Sequence, residues 1–131
     1  MRMATIDYTD TRRARLDVEF SFAAAHRLPR YDGPCFRMHG HNYRMLVGVE
    51  GEVDPRTGMV TDFGRLQETV REHVLSRADH QVLNEVLENP TAENIARWVF
   101  ETLKPQLPGL VEIRLYEVAG CCVTYRGPLG G

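Results

Sequence analysis

Several features that would place this chain in a specialised class are scarce or absent. It has three cysteines, Cys35 and the adjacent Cys121 and Cys122, and this odd count does not make a disulfide framework. No apolar run approaches the roughly 20 residues needed to cross a bilayer, and no block of like charge stands out. These absences argue against a disulfide-stabilised secreted domain, a membrane protein and a nucleic-acid-binding surface.

The composition indicates an ordinary globular domain. Sixteen basic residues oppose 18 acidic ones, and 131 residues are enough to bury about two-thirds of the unfolded surface. We predict one domain spanning residues 1–131, in which residues 1–13 form a loose N-terminal arm because they show no clear apolar period. The polar N-terminus has no signal-peptide apolar segment, which together with the odd cysteine count predicts a cytoplasmic protein.

Alternating apolar side chains predict two strands. The alternation runs from Arg15 to Phe22 and again from His41 to Glu50. Turn residues from Pro29 to Pro34 separate the two stretches. Sequential strands usually lie side by side, so these two strands are expected to form a hairpin.

The second half of the chain predicts two helices followed by two strands. Asp62 is a candidate N-cap for a helix over residues 63–76, and Thr91 for a second helix that ends near Lys104. Residues 110–125 alternate again and read as two strands. The order ββααββ predicts an α+β fold, a four-stranded antiparallel sheet with both helices on one face.

Three histidines fall where the predicted hairpin would gather them. His39 and His41 are two residues apart and would point to one face of a strand. His26 continues the apolar phase of the preceding strand, so all three would lie at the same end of the hairpin. Three nitrogen ligands with one open position are typical of catalytic zinc. His73, on the predicted helix, is expected to be an ordinary surface residue.

Cys35 lies in the loop between the predicted strands and has two interpretations. As a fourth zinc ligand it would close the coordination shell, and the metal site would be structural. As a thiolate beside the metal it would be a general base or nucleophile. The spacing in the sequence leaves both interpretations open.

Two carboxylates outside the hairpin have similar alternatives. Asp79 and His80 are either turn residues or a carboxylate–imidazole pair that transfers protons near neutral pH. Together with Cys35 they would form a triad of the kind whose members lie far apart in sequence. Glu117, at the end of a predicted strand, is either exposed or able to bind a planar pair of N–H groups bidentately.

These residues together resemble the 6-pyruvoyl-tetrahydropterin synthase family, in particular its 6-carboxytetrahydropterin synthase branch from the queuosine pathway. The matching stretches run in family order from about residue 16 to residue 127. They are FSFAAAHRLP (20–29), CFRMHGHNY (35–43), GEVDPRTGMVTDF (51–63), ADHQVLNE (78–85), NPTAENIA (89–96), YEVAG (116–120) and YRG (125–127). The short interval between the cysteine and the histidines resembles the carboxy branch, because pyruvoyl-forming enzymes typically carry a longer insertion there.

The resemblance implies the tunnelling fold, or T-fold, and assigns roles to the marked residues. It implies zinc on His26, His39 and His41, and a catalytic set of Cys35, Asp79 and His80. It implies that Glu117 anchors a pterin and that Thr91 lies near the pterin ring. It also implies a homohexamer, built as a dimer of trimers, with active sites at the subunit boundaries.

The implied reaction is the zinc-dependent conversion of 7,8-dihydroneopterin triphosphate to 6-carboxy-5,6,7,8-tetrahydropterin, with loss of acetaldehyde and triphosphate. One alternative is 6-pyruvoyltetrahydropterin synthesis, in which the same site stops at triphosphate elimination. Another is a non-catalytic, zinc-stabilised module in which Cys35 is the fourth ligand. Four arginines could meet the phosphates, although an arginine is usually a solvated surface residue: Arg27, Arg30, Arg37 and Arg126.

Overall fold

A long hairpin is the framework of the fold. The computed structural model describes residues 2–129. In it β1 (Arg13–His26) pairs antiparallel with β2 (His39–Glu52), from Arg13 opposite Glu52 to His26 opposite His39. The predicted hairpin is confirmed. Both strands are longer than the clear apolar alternation, because backbone pairing continues through the small residues 23–25 and through residues 39–40.

The sheet contains one strand that the sequence did not predict. After β2 come β3 (Gln81–Val82), β4 (Leu110–Val118) and β5 (Cys121–Tyr125), and the spatial order is β3-β1-β2-β4-β5. The α+β class is confirmed. The four expected antiparallel strands are present. A fifth strand, β3, lies at the edge of the sheet beside β1 and runs parallel to it. Two residues are too few to show any periodicity in sequence.

Both predicted helices begin at the predicted caps. The first, α1 (Phe63–Val70), continues through a π-helical turn (Arg71–Leu75) and a last α-helical turn (Ser76–Ala78). The second, α2, spans Ala92–Leu103. The Asp62 carboxylate accepts a hydrogen bond from the Gly64 N–H at 2.9 Å, and the Thr91 hydroxyl accepts one from the Asn94 N–H at 3.1 Å. Each cap satisfies a backbone donor that the first helical turn leaves free.

The core lies between the helices and one face of the sheet. Its sheet side is made by alternate residues of β1 and β2, and its helix side by residues at helical spacing. The buried members include Val18, Phe20, Phe22, Tyr43, Met45, Val47, Leu66, Val70, Ile95, Val99 and Leu103. His26 continues this phase at the end of β1 and is 0% exposed. Because side chains alternate along β1, the polar His26 ring is buried at the end of the core.

The N-terminal residues lie outside the core. Residues 2–12, most of the predicted N-terminal arm, are exposed and belong to no helix or strand, while Met1 lies outside the described residues. Between residues 2 and 129, no helix has the length and apolar character required for a membrane span.

We predict that core burial at the centre of β2 stabilises the protein strongly. Met45 is 0% exposed and Met59 is 51% exposed. Met45→Ala should lower the free energy of unfolding by about 2–5 kcal/mol, because it removes buried apolar atoms and leaves a cavity. Urea denaturation of Met45→Ala beside the control Met59→Ala measures this difference. Equal losses in the two variants would contradict the description of the core.

Candidate metal centre

The three histidines meet at the end of the hairpin, as predicted. His26 and His39 are paired residues of β1 and β2, and His41 follows two positions later on the same face. The Nε2 atoms of His26 and His39 are 3.0 Å apart. One ligand nitrogen from each of the three rings lies within 4.8 Å of the other two. This geometry allows all three imidazoles to bind a single metal ion.

Backbone carbonyls determine which ring nitrogens are free. His26 Nδ1 lies 2.8 Å from the Pro90 carbonyl oxygen, and His39 Nδ1 lies 2.7 Å from that of Arg37. A carbonyl only accepts, so each Nδ1 carries the hydrogen and each neutral ring presents a lone pair at Nε2. Among residues 2–129, His41 Nε2 is buried with no hydrogen-bond partner, and the nearest carboxylate oxygen, Glu117 Oε1, lies 3.4 Å away. Facing lone pairs repel, and a metal ion bound by all three nitrogens would relieve that repulsion.

Burial also keeps His26 in the form that binds metal. Desolvation lowers the pKa of His26 below its ordinary value, although the hydrogen bond to Pro90 partly opposes the shift. The ring therefore remains neutral to a lower pH than an exposed histidine would. The Tyr43 hydroxyl lies 3.3 Å from the same Nδ1, and burial raises the pKa of Tyr43, so this group is neutral. The strand alternation from His41 to Glu50 puts Tyr43 on the same face as His41 but gives no signal for this contact with His26.

Glu117 lies beside the histidines. It sits at an irregularity in the pairing of β4 with β5, and its Oε1 is 3.4 Å from His41 Nε2. The carboxylate is partly accessible, with 27% of the side chain exposed. Of the two interpretations drawn from the sequence, this position favours a carboxylate available to a ligand at the metal centre.

Cys35 lies in a 3₁₀ turn (Pro34–Phe36) and is half-buried. Within residues 2–129, the group of side chains close enough to share a metal ion consists of the three histidines and does not include Cys35. The Cys35 carbonyl accepts a hydrogen bond from the Leu28 N–H at 2.9 Å, which closes the loop at its base. This arrangement favours a three-histidine centre with a separate thiol.

Asp79 and His80 are joined to β1 by backbone contacts. The Asp79 carboxylate accepts a hydrogen bond from the Ala23 N–H at 3.0 Å, and the His80 N–H donates to the Ala23 carbonyl at 2.6 Å. His80 has a left-handed backbone, with φ 61°, which is uncommon for a residue other than glycine. Its ring is 81% exposed and lies 3.7 Å from the carboxylate, too far for a hydrogen bond. The Asp79 carboxylate therefore binds the Ala23 backbone and does not directly orient the His80 ring.

The remaining candidates have structural contacts of their own. Thr91 caps α2, and its neighbour Pro90 supplies the carbonyl that holds His26. Two of the four candidate arginines are paired: Arg30 with Glu88 at 2.7 Å and Arg126 with Glu112 at 3.5 Å. The Arg27 guanidinium lies over the Phe36 ring, 5.6 Å from its centroid. Arg37 makes no ion pair with any residue between 2 and 129.

Comparison with known proteins defines the class to which this fold and site belong. A solved structure of Caenorhabditis elegans 6-pyruvoyl tetrahydropterin synthase superposes with a TM-score of 0.82 at 32% identity. The match covers 89% of this chain and 97% of that one. The protein therefore has the T-fold of the pterin synthases.

The sequence comparisons specify the family. A family model described as 6-pyruvoyl tetrahydropterin synthase matches residues 15–128, so the chain belongs to this family of pterin-processing enzymes. A 6-carboxy-5,6,7,8-tetrahydropterin synthase from Synechocystis sp. is 39% identical over 117 residues, which cover 84% of this chain and 91% of that protein. A dihydroneopterin monophosphate aldolase from Pyrococcus furiosus is 38% identical over 102 residues, covering 78% and 85%.

We predict that the purified protein binds about one divalent metal ion per chain through the three histidines. His39→Ala should lose most of this metal, because it removes a ligand whose orientation the Arg37 carbonyl fixes. The matched control is His73→Ala, in the π-helical turn that continues α1, and this variant should keep the metal. Elemental analysis after zinc loading and dialysis measures the stoichiometry, and circular dichroism checks the fold. Equal zinc binding by the wild type and a folded His39→Ala variant would contradict the prediction.

Proposed function

We propose that the protein is a zinc-dependent 6-carboxytetrahydropterin synthase acting in queuosine, or 7-deazapurine, biosynthesis. It would convert 7,8-dihydroneopterin triphosphate and water to 6-carboxy-5,6,7,8-tetrahydropterin, acetaldehyde and triphosphate. The observation that carries the proposal is the convergence of three imidazoles without Cys35. The 39% identity to the Synechocystis protein of that name supports the carboxy branch, as does the short cysteine-to-histidine interval.

The donor set fits zinc. Three imidazole nitrogens are a ligand set used by catalytic zinc centres, and two of the rings already have their tautomer fixed by backbone carbonyls. When bound, zinc supplies a Lewis acid that polarises a substrate oxygen. His26, His39 and His41 would hold the metal, and the side chains around them would bind the substrate and move protons.

Glu117 would anchor the pterin. Its carboxylate can accept two hydrogen bonds from a planar pair of N–H groups, such as the amino group and ring nitrogen of a pterin. Because Glu117 lies 3.4 Å from His41, a pterin held there would be adjacent to the metal centre. Thr91 follows the residue that orients His26, which supports a place for it near the substrate.

Cys35 and His80 would carry the proton transfers. As a thiolate, Cys35 would remove a proton from the hydroxylated side chain of the substrate, and His80 would return one. Asp79 would support His80 by holding its backbone against Ala23.

We also propose that the chain assembles as a homohexamer, a dimer of trimers. No hydrogen bond joins Cys35 to Asp79 or His80 within residues 2–129, and the His80 ring is 81% exposed. These observations support the expectation that active sites form at subunit boundaries, where an exposed His80 could serve the site of a neighbouring copy. The two sheet edges, β3 and β5, offer unpaired backbone groups for such association.

We predict that the wild-type protein, loaded with zinc, releases acetaldehyde and forms a 6-carboxy product from 7,8-dihydroneopterin triphosphate. Mass spectrometry of the pterin product and a coupled assay for acetaldehyde make the measurement. A 6-pyruvoyl product without acetaldehyde would instead support the activity for which the Caenorhabditis elegans protein is named. Turnover of dihydroneopterin monophosphate alone would support the aldolase activity named for the Pyrococcus furiosus relative.

We predict that Cys35→Ala folds and keeps zinc but loses about 10²- to 10⁴-fold in kcat, the range typical of removing a general acid or base. The matched control is Cys121→Ala, which removes an exposed thiol from β5 and should change neither property. Full activity in Cys35→Ala would reject the thiolate role. Loss of both zinc and fold would favour the non-catalytic module in which Cys35 is a ligand.

A further inference from the structure

The segment from Asp79 to Asn84 runs along the end of β1 in a constant register. The His80 N–H donates to Ala23, and β3 then places Gln81 opposite Ala24 and Val82 opposite Ala25. The backbone of this segment turns away at the 3₁₀ turn (Leu83–Glu85), so regular strand pairing ends there.

The Asn84 side chain extends the same ladder by two further register positions. Its Oδ1 accepts a hydrogen bond from the Arg27 N–H at 2.9 Å, and its Nδ2 donates to the Arg27 carbonyl at 2.9 Å. The amide thus replaces a peptide group of β3. Only one orientation of the amide satisfies both contacts, because the N–H must meet an oxygen and the carbonyl must meet an NH₂. The two bonds fix the direction in which the chain leaves His26.

Arg27 begins the loop that carries Cys35. The next residue, Leu28, donates its N–H to the Cys35 carbonyl at 2.9 Å. The Arg27 side chain itself lies over the ring of Phe36, the residue after Cys35. Two contacts at the base of the loop, from Arg27 and Leu28, therefore connect the residue held by Asn84 with the turn that contains the thiol.

We propose that Asn84 is a positioning residue, which sets the place of the Cys35 thiol relative to the three-histidine centre. The proposal rests on the proposed catalytic role of Cys35. The placement of a thiol is also measurable without any substrate, so the two ideas can fail separately. Asn84 belongs to the segment that contains Asp79 and His80, and the same short stretch would therefore position both proton-transfer groups.

The test compares thiol reactivity with turnover. In a Cys121→Ala, Cys122→Ala background, Cys35 is the remaining thiol of the sequence. Asn84→Ala should make Cys35 react several-fold faster with iodoacetamide, because the loop opens more often when its base is released. In the same variant kcat should fall about 10- to 100-fold, the scale expected for misplacing a reacting group by about 1 Å. KM should change little, because the contacts of Asn84 do not include Glu117.

Two further variants separate positioning from general stability. Asn84→Asp keeps the acceptor for the Arg27 N–H and loses the donor to its carbonyl, so its effects should be intermediate. Lys104→Met also removes two side-chain-to-backbone hydrogen bonds, each 2.8 Å long, but their acceptors are the carbonyls of Pro108, before β4, and of Leu110, its first residue. Lys104→Met should leave Cys35 reactivity and kcat unchanged.

Each outcome bears on the proposal. Wild-type reactivity and kcat in Asn84→Ala would overturn it, as would equal changes in Lys104→Met. Loss of the fold in both Asn84 variants, with Lys104→Met folded, would assign Asn84 to stability and overturn positioning. Altered iodoacetamide reactivity in a protein whose wild type turns over no pterin would support the positioning of the thiol and reject the proposed function.

Discussion

The repulsion between two imidazole lone pairs is the constraint on which the site depends. The carbonyls of Pro90 and Arg37 fix the hydrogens of His26 and His39 on Nδ1, so both Nε2 atoms face each other as acceptors at 3.0 Å. Protonating His26 would relieve the repulsion, but burial lowers its pKa and opposes that solution. A shared metal ion would satisfy both nitrogens and that of His41 as well. The backbone of this chain thus holds the three rings in an arrangement that could bind a cation.

The sheet brings the other candidate groups to the same end of the fold. Glu117 arrives from β4 beside His41, and Cys35 is in the loop that connects the two strands bearing the histidines. Asp79 and His80, immediately before β3, are held at this end by hydrogen bonds to the Ala23 backbone. These contacts maintain the left-handed backbone of His80. Strained backbone conformations of this kind are common at functional sites.

Much of this arrangement was predictable from the sequence, because it follows from strand alternation. His26 falls on the inward-facing positions of β1. The two-residue spacing of His39 and His41 places both on one face of β2, which can be predicted without tertiary information. The helix caps Asp62 and Thr91 were also predictable, since capping depends on a few neighbouring residues.

Other features depend on contacts between distant segments and had no local signal. β3 is two residues long and exists because it lies against β1. The Asn84 amide, the Pro90 carbonyl and the Tyr43 hydroxyl act on groups at least 17 residues away. The expected direct contact between Asp79 and the His80 ring was reasonable for adjacent residues, but the carboxylate binds the Ala23 backbone instead.

The most direct test is anomalous diffraction at the zinc absorption edge from crystals grown with zinc. The expected result is one strong peak per chain, from a zinc ion bound by His26, His39 and His41 with Zn–N distances of about 2.0–2.1 Å. The Cys35 sulfur should lie outside the coordination shell. The absence of a peak between these rings, or a peak with the Cys35 sulfur at about 2.3 Å, would contradict an open three-histidine centre.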